Sequence, residues 1–579
     1  MVQGCRDARI AKQPAGRRER IISPIRLLLI AILPILSLTA YLIVVKRFTM
    51  GQQLRNSWLS SLPVLSTVLA SNSSVDLGWY PPRNTSVNDL ATALDGSGVY
   101  GFIFNSSHTP DDEYGTYNWC NMPHVRKSEY VRASGEYELR YVEVIQRHHK
   151  RTPYASNAFP VEPYHWDCDD EGLYYYGAPF GSSAKRPAPA FWKGFISPIN
   201  PFMPTGWVGT CQFPQITAQG LDDSYVHGQD IYGVYHELLG FLPSRHDSSW
   251  RDKVVYRVTQ NVITSEVAGM LVGGTWDTTE SIPLLVGAAG IDSLEPQYAC
   301  AAGNSLFNTI KSPADAPWQA HLEGARELYR VLDSISGVPA TDAGFHASFD
   351  HYFDNLSARQ CHAKPLPCRI NATGTDTATG MGTGTGTGDR AQACINQTLA
   401  NTVYRLGQWE YSRIYRDAPQ SLSASVASYG VWIAELSAHL RAVISGKNKN
   451  GKNENEDEDG HGTPLYFHNV AHDGSVSRVL SILQIETMVW PGMGSEVVFE
   501  LYERKPHRSS QQSNNSSSGA SSGAYYVRVL FGGQVLKSSN PSLGVMDMLP
   551  VETLLAYFDG LVGKDASLVV GKCNGTIAI

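Results

Sequence analysis

The 579-residue sequence lacks the features that mark several large classes of protein. It has no Cys-x-x-Cys pair, so a zinc ribbon has no support. The Gly/Thr tract at 382–388 is not followed by Gly-Lys-Ser/Thr, which excludes a P-loop. Lys and Arg (47) are outnumbered by Asp and Glu (54), and the net charge of −7 argues against nucleic acid as a partner. With 42% hydrophobic and 17% charged residues, the composition excludes a fibre, a coiled coil and a wholly disordered chain.

One long uncharged apolar run lies near the N-terminus, at 27–45. Its 19 residues are enough to cross a bilayer as a helix. No A-x-A site follows, which favours an uncleaved signal-anchor over a signal peptide. Residues 1–26 hold seven Lys/Arg against two acidic residues, so we expect this tail to stay cytosolic. The prediction is a single-pass type II membrane protein of the secretory pathway or cell surface, with its catalytic part lumenal or extracellular.

The part of the chain after this run has the features of an exported protein. Eight of the nine cysteines lie there, an even set that predicts up to four disulfides of unspecified pairing in an oxidising compartment. The close spacing of Cys361, Cys368 and Cys394 predicts one local cross-linked patch. Nine N-x-S/T sequons predict N-glycans on the surface, at Asn72, Asn84, Asn105, Asn355, Asn371, Asn396, Asn514, Asn515 and Asn574.

Composition divides the exported part into a stem and a folded domain. Residues 46–95 are polar and read as a membrane-proximal stem, and the folded domain is predicted from 96 to 579. Three segments inside it are too polar or repetitive to bury a core and are predicted to be flexible surface loops, at 374–389, 446–462 and 507–524.

Apolar periodicity between these loops alternates between strand and helix. Period-2 segments predict strands, and segments with i, i+3, i+4 spacing predict helices. Recurring strand–loop–helix units predict an α/β sheet domain. The helix-rich stretch at 316–401 is a candidate cap. The predicted strands are 139–145, 254–257, 464–470 and 525–531, and the predicted helices are 264–271, 323–335, 475–485 and 550–561.

Three predicted strands end in basic or titratable side chains. The sequence RHHKR at 147–151 follows the first, Arg257 ends the second, and His472 and Asp473 follow the third. Taken singly, each has an ordinary structural interpretation, because basic runs are usually solvated turns and His-Asp pairs often arise by chance. Functional residues of open α/β sheets gather at the carboxyl ends of strands. Their joint placement in an acidic protein therefore predicts an anion site.

The residue types suit transfer of a phosphoryl group. Guanidinium groups bind phosphate oxygens bidentately. An imidazole can attack phosphorus and carry the phosphoryl group covalently. A neighbouring carboxylic acid can protonate the departing alkoxide. Clustered cations balance the charge of the transition state without a metal.

These motifs resemble those of the histidine acid phosphatases, the second branch of the histidine phosphatase superfamily. RHHKRTP, from Arg147, resembles the RHGxRxP signature, and FHNVAHD, ending at Asp473, resembles the late HD motif. QITAQG at 215–220 is similar to the GQLTxxG segment, and 254–271 is similar to the family's strand, Arg and helix.

The resemblance spans roughly residues 139 to 562 in the right order. Near the C-terminus, 489–491 with 498–501, and 527–530 with 535–536, look like the family's last strands. The many sequons and linkers are typical of a membrane-anchored fungal-type member.

The resemblance implies a fold and a set of site residues. The fold is a phosphoglycerate-mutase-like α/β sandwich with a helical cap subdomain, preceded by one N-terminal transmembrane helix. The chemistry is hydrolysis of a small phosphorylated substrate with neither metal nor cofactor. His148 is the implied phosphorylated nucleophile and Asp473 the general acid. The implied phosphate ligands are Arg147, Arg151, Arg257 and His472.

One position departs from the family pattern. The residue after the nucleophile is usually Gly, and here it is His149. Because Gly leaves room near phosphate, the imidazole is expected to narrow the pocket or add a donor. This leaves open a catalytically impaired member that binds a phosphorylated ligand, a surface glycoprotein, or phytase-type specificity. Retained Asp473 favours an active enzyme, because its negative charge would weaken phosphate binding alone.

Two other motifs are weaker. A formal G-x-S-x-G at 519–523 lies in a Ser/Gly linker and precedes a strand, whereas a nucleophile elbow follows one. His468 and His472 have the spacing of a helical metal pair, but the sequence places them on a strand and its following loop without a third ligand. Neither a serine hydrolase nor a metal site is therefore predicted.

Overall fold

A mixed β-sheet forms the centre of the protein. The computed structural model describes residues 75–101 and 117–578, except 163, 170–173, 176–189, 196, 204–205, 369–392, 447–463 and 506–523. The strands of this part of the chain are β1 (Tyr137–Arg147), β2 (Tyr174–Tyr175), β3 (Ala190–Phe191), β4 (Val254–Val258), β5 (Leu284–Val286), β6 (Tyr466–Ala471), β7 (Glu496–Arg504), β8 (Tyr525–Phe531), β9 (Gln534–Val535) and β10 (Leu549–Pro550). Their order in the main sheet is β10-β8-β7-β1-β6-β4-β5, with β9 beside β8, while β2 and β3 pair separately.

The parallel half of the sheet brings three strand ends together. Strands β1, β6, β4 and β5 run parallel, whereas β7, β8, β9 and β10 pair antiparallel. In the register, Arg147 lies opposite Ala471, and Val258 lies opposite Val470. The chain therefore leaves β1, β6 and β4 side by side at one edge, where an α/β sheet places its functional loops.

Helices cover both faces of the sheet. In the described residues they are α1 (Leu90–Asp95), α2 (Ala218–Tyr232), α3 (Val262–Trp276), α4 (Ala301–Ile310), α5 (Ala316–Gly324), α6 (Arg326–Ser336), α7 (Asp350–Cys361), α8 (Gln397–Ser412), α9 (Gln420–Ile444), α10 (Asp473–Ile482), α11 (Val551–Val562) and α12 (Val569–Cys573). Asn261 caps α3 by accepting a hydrogen bond from the Ile263 amide, so this helix begins directly after β4. Helix α10 likewise begins directly after β6, with His472 at the N-cap.

Alternating side chains of β1 fill the two hydrophobic layers. Tyr141 and Ile145 pack with α9, α10 and α11 on one face. Val142 and Val144 pack on the other face with α2 and α3. Because both faces are covered, the second half of β1 is buried without interruption.

A third hydrophobic cluster joins helices α5 to α8. This helical layer overlaps the candidate cap at 316–401, and α8 continues beyond that range to Ser412. Segment 323–335 forms the end of α5 and most of α6, with Ala325 between the two helices.

The strand predictions agree with β1, β4, β6 and β8, and the helix predictions at 264–271 and 550–561 agree with α3 and α11. Helix α10 begins two residues before the predicted start and ends at Ile482. Segment 489–491, compared with a strand by resemblance, lies outside the strands. The carbonyl of Pro491 instead accepts a hydrogen bond from Arg147.

The folded unit begins before the boundary predicted at 96. Val87 and Ala93 are buried in the helical cluster, and the Trp79 indole donates to the Arg416 carbonyl at 3.1 Å. Residues 75–95 therefore belong to the domain rather than to a stem.

All eight cysteines that follow residue 46 pair. The disulfides are Cys120–Cys361, Cys168–Cys211, Cys300–Cys573 and Cys368–Cys394. The number agrees with the prediction, and Cys368 does pair locally with Cys394. Cys361 does not belong to that patch, because it pairs with a partner 241 residues away.

The sequons differ in accessibility. Asn84, Asn396 and Asn574 are exposed. Asn355 is wholly buried, and its amide donates to the Asn157 carbonyl at 3.0 Å. A glycan at Asn355 is incompatible with this packing, which corrects the prediction there. The other sequons, at 72, 105, 371, 514 and 515, lie outside the described residues.

In the described ranges, no helix has both the length and the apolar composition to cross a bilayer. The predicted span at 27–45, the loop at 374–389 and almost all of the loops at 446–462 and 507–524 lie outside those ranges.

Candidate active site

The basic run after β1 is buried rather than solvated. Each side chain from Arg147 to Arg151 is less than 5% exposed. His148 and Arg151 line a cavity of about 290 Å³ at the carboxyl edge of the sheet. The cavity is lined by His148, Arg151, Tyr154, Glu295, Pro296, His472, Asp473, Gly474, Ser475 and Arg478.

The backbone orients the His148 ring. Its Nδ1 lies 2.9 Å from the carbonyl oxygen of His149, to which it can only donate a proton. The other nitrogen, Nε2, then carries the lone pair. Burial, followed by the charges of Arg151 and Arg147, holds the pKa of His148 well below its ordinary value. A neutral imidazole with an available Nε2 is the form that can act as a nucleophile.

The buried Arg147 forms an ion pair with the partly exposed Asp473 beside this ring. Arg147 Nη2 lies 3.0 Å from Asp473 Oδ2, and the guanidinium lies 4.6 Å from the centre of the Trp119 ring. The Trp490 indole donates to the same carboxylate oxygen at 2.8 Å. Burial opposes ionisation of Asp473, but Arg147, Trp490 and Arg151 outweigh it and lower the pKa of the carboxyl.

Arg151 is held by a helix of the cap layer. Its Nη1 donates to Asp354 Oδ1 at 2.9 Å, and Asp354 Oδ2 accepts from the Tyr154 amide at 3.2 Å. The guanidinium lies 4.3 Å from the centre of the Tyr154 ring. Arg151 Nε is buried and has no acceptor within the described residues. One donor of this guanidinium is therefore available to an anion.

His472 lies opposite His148. The two ring centres are 5.5 Å apart, and His472 Nε2 lies 3.0 Å from Thr259 Oγ1 and 3.6 Å from Glu295 Oε1. Burial and the two arginines lower the pKa of His472 to about 4, although Asp473 acts in the opposite direction. Burial and then Asp292 raise the pKa of Glu295, which is 28% exposed.

Two predicted phosphate ligands, Arg147 and Arg257, are absent from the residues that line the cavity, and Arg257 is also held by two carboxylates. Its Nη1 donates to Glu435 at 2.8 Å, and its Nη2 donates to Asp292 at 2.9 Å. Arg257 lies one residue before the end of β4, and these carboxylates hold its guanidinium away from the residues that line the cavity. Its assignment as a phosphate ligand remains a prediction.

His149 points away from the cavity. Its Nε2 donates to His227 Nδ1 at 3.1 Å, since His227 Nε2 donates to Glu496 at 3.0 Å. The ring lies over Gly494, whose φ is +72°, and a Cβ there would lie 2.3 Å from His149 Cε1. The expectation that His149 narrows the pocket or adds a donor is wrong, because this ring occupies a separate buried space.

Several residues around the site were not predicted as site residues. Tyr154, Glu295 and Arg478 line the cavity, while Asp354 and Trp490 hold predicted site residues in place. Two of these residues lie close to predicted motifs in the sequence: Tyr154 directly follows RHHKRTP, and Arg478 lies on the predicted helix after the HD motif. The others come from loops or helices whose approach the sequence does not reveal.

No group of three His, Cys, Asp or Glu side chains suited to a metal ion occurs in the part of the chain that the structure describes. His468 and His472 do not form a pair. His468 Nδ1 lies 2.6 Å from the Tyr466 hydroxyl, and its Nε2 donates to Gln146 Oε1 at 2.7 Å.

Neither a protein-family model nor a curated protein matches the chain. Solved structures do. Hafnia alvei phytase in complex with tartrate has 12% identity over 75% of this chain and 99% of that chain, with a TM-score of 0.42. The phytase from D. castellii has 10% identity over 79% and 86%, with a TM-score of 0.40. Multiple inositol polyphosphate phosphatase from Bifidobacterium longum, in complex with phosphate, has 12% identity over 72% and 92%, with a TM-score of 0.36.

Proposed function

We propose that this protein is a histidine acid phosphatase that hydrolyses phosphate monoesters through a phosphohistidine at His148 Nε2. The observation that carries the proposal is the His148 ring, buried in a cationic cavity with Nδ1 held by the His149 carbonyl. This contact leaves Nε2 as the nucleophilic atom.

The substrate phosphate is bound between Arg151, His472 and the pair of Arg147 and Asp473. Arg151 contributes its free Nε donor, and His472 faces His148 across the cavity. Arg147 changes partners when an anion arrives, because phosphate accepts its hydrogen bonds in place of Asp473.

Reaction then takes place in two steps. His148 Nε2 attacks phosphorus, the bond to the leaving oxygen breaks, and Asp473 gives that oxygen a proton. Water next attacks the phosphohistidine with Asp473 as base, the N–P bond breaks, and inorganic phosphate leaves. The arginines balance the charge on the equatorial oxygens in both steps.

Proton delivery depends on the bound phosphate. In the free protein, the carboxylate of Asp473 accepts hydrogen bonds from Trp490 and Gly474 and is paired with Arg147. A phosphate dianion nearby neutralises the arginines and raises the pKa of the carboxyl. Substrate binding thus favours the protonated form of Asp473, which the first step requires as its general acid.

The test is phosphate release from aryl phosphates in the presence of EDTA. The full chain is produced in a secretory host beside His148→Ala and Asp473→Asn. We expect metal-independent activity that His148→Ala abolishes. Asp473→Asn should slow phenyl phosphate far more than 4-nitrophenyl phosphate, because only the poorer leaving group needs the proton.

Absence of turnover in a folded parent between about pH 4 and 7 would refute the generic phosphatase. Binding of inorganic phosphate without turnover would instead support the impaired, ligand-binding member. Phytase-type specificity, for inositol phosphates, is the alternative within the same chemistry, and relative kcat/KM values decide between the two.

The proposed location is the lumen of the secretory pathway or the cell exterior, with the apolar run 27–45 as a type II anchor. Four disulfides support an oxidising compartment. Two measurements test the location and the anchor topology. The domain should be protected from added protease in intact microsomes, and glycosidase treatment should lower its mass. A domain digested without detergent would refute the topology.

A further inference from the structure

A second arginine projects into the cavity from α10. Arg478 Nη1 donates to the carbonyl of Gly474 at 2.8 Å, and its Nε donates to Ser428 Oγ at 3.0 Å. The side chain therefore turns back towards the first turn of its own helix, as long helical side chains do. A Cβ on Gly474 would lie 3.1 Å from Nη1, so the glycine leaves room for the guanidinium.

Arg478 differs in its partners from the three arginines that the sequence predicts as phosphate ligands. Arg147, Arg151 and Arg257 each contact a carboxylate. Arg478 forms no ion pair with any residue that the structure describes. The rings of Phe307 and Tyr415 lie 5.0 Å and 5.5 Å from its guanidinium.

The guanidinium of Arg478 lies at the first turn of α10, where the one acidic residue, Asp473, is paired with Arg147 instead. The first turn of a helix carries the positive end of the helix dipole, which disfavours a nearby cation. The contacts to Gly474 and Ser428 nevertheless hold the guanidinium there. An anion in the cavity would be attracted by both the helix end and the guanidinium, which turns this cost into binding free energy.

We propose that Arg478 binds phosphate oxygens of the substrate, an inference that rests on the proposed phosphatase function. The phosphate is either the one transferred to His148 or a second one on the leaving group. A guanidinium serves both, because its planar donors match phosphate oxygens.

The experiment compares Arg478→Met with a matched control, Arg441→Met. Arg441 lies on α9 and pairs with Asp559 at the surface, outside the residues that line the cavity. Calorimetry gives the Kd of inorganic phosphate, and kinetics gives kcat/KM for 4-nitrophenyl phosphate and for fructose 1,6-bisphosphate. Losing a charge-assisted hydrogen bond predicts a change of roughly 10- to 100-fold.

Each pattern of results has one meaning. Weaker phosphate binding together with a lower kcat/KM for both substrates assigns Arg478 to the transferred phosphate. A loss confined to the bisphosphate assigns it to the second phosphate. Changes within about twofold of Arg441→Met in all three measurements overturn the inference, since a bound guanidinium contributes at least about tenfold.

Two further arms keep the inference separate from the proposed function. If the parent binds phosphate without hydrolysing esters, the phosphatase proposal fails and the phosphate Kd alone decides on Arg478. If Arg478→Met does not fold, Arg478→Lys replaces it, and a several-fold loss is expected because lysine lacks the planar fork. A Lys variant with parental values in all three measurements overturns the inference.

Discussion

Replacing His149 with alanine should lower the stability of the protein and preserve the proposed phosphatase activity. The imidazole is wholly buried, packs over Gly494 and donates to His227. It is absent from the residues that line the cavity. The backbone carbonyl that orients His148 belongs to the same residue and is kept in the variant.

The magnitude follows from the buried ring. Large-to-small substitutions in a core cost about 2–5 kcal/mol. The lost hydrogen bond to His227 adds about 1 kcal/mol, while removal of Nδ1, a buried atom without a partner in the described residues, offsets a similar amount. We expect a net loss of about 2–5 kcal/mol. In a domain of about 500 residues, this lowers the Tm by roughly 2–5 °C.

The assay combines thermal unfolding with kcat/KM for 4-nitrophenyl phosphate. His346→Ala is the control, because this imidazole is half-buried, contacts Asp333 and lies in the helical layer. We expect kcat/KM of the His149 variant within about threefold of the parent. A tenfold gain in activity with an unchanged Tm would show that the imidazole obstructs the phosphate site, and would refute this assignment.

Three further predictions follow from the same contacts. Burial and Arg151 lower the pKa of His148, so the ring is neutral above that lowered value, and the acid limb of kcat/KM should lie below pH 6.5; a limb at or above pH 6.5 contradicts the assignment. Gly494→Ala should cost at least about 1–3 kcal/mol, because a side chain at φ +72° is strained and meets His149, and the double variant with His149→Ala should recover part of this in urea unfolding, whereas strict additivity would contradict the contact. Replacing Cys300 and Cys573 together by serine should lower the free energy of unfolding by as much as about 5 kcal/mol, because their 273-residue separation closes a long loop; a loss below about 1 kcal/mol would contradict that account.

Local patterns were sufficient for much of the fold. Alternating apolar residues predicted β1, β4, β6 and β8, because the two-residue period of a strand can be recognised in consecutive residues. The same reasoning placed RHHKR and the HD pair at the ends of two strands, and the structure shows that these strands, β1 and β6, are parallel neighbours. Residues 75–95 were misplaced because a short helix of six residues carries too little periodicity to distinguish it from a polar stem.

By itself, the sequence determined that strands and helices alternate, that His148 and His472 each follow a strand, and that the chain after residue 46 holds an even set of eight cysteines. Tertiary structure decided which arginines are paired with carboxylates. Arg257 is held by Asp292 and Glu435 outside the cavity, whereas Arg478 lines the cavity. It also decided the direction of the His149 ring and the burial of Asn355. These contacts depend on partners tens to hundreds of residues away in the sequence, such as Glu435 for Arg257. Packing of the folded chain brings such partners together, and local secondary-structure propensity does not specify them.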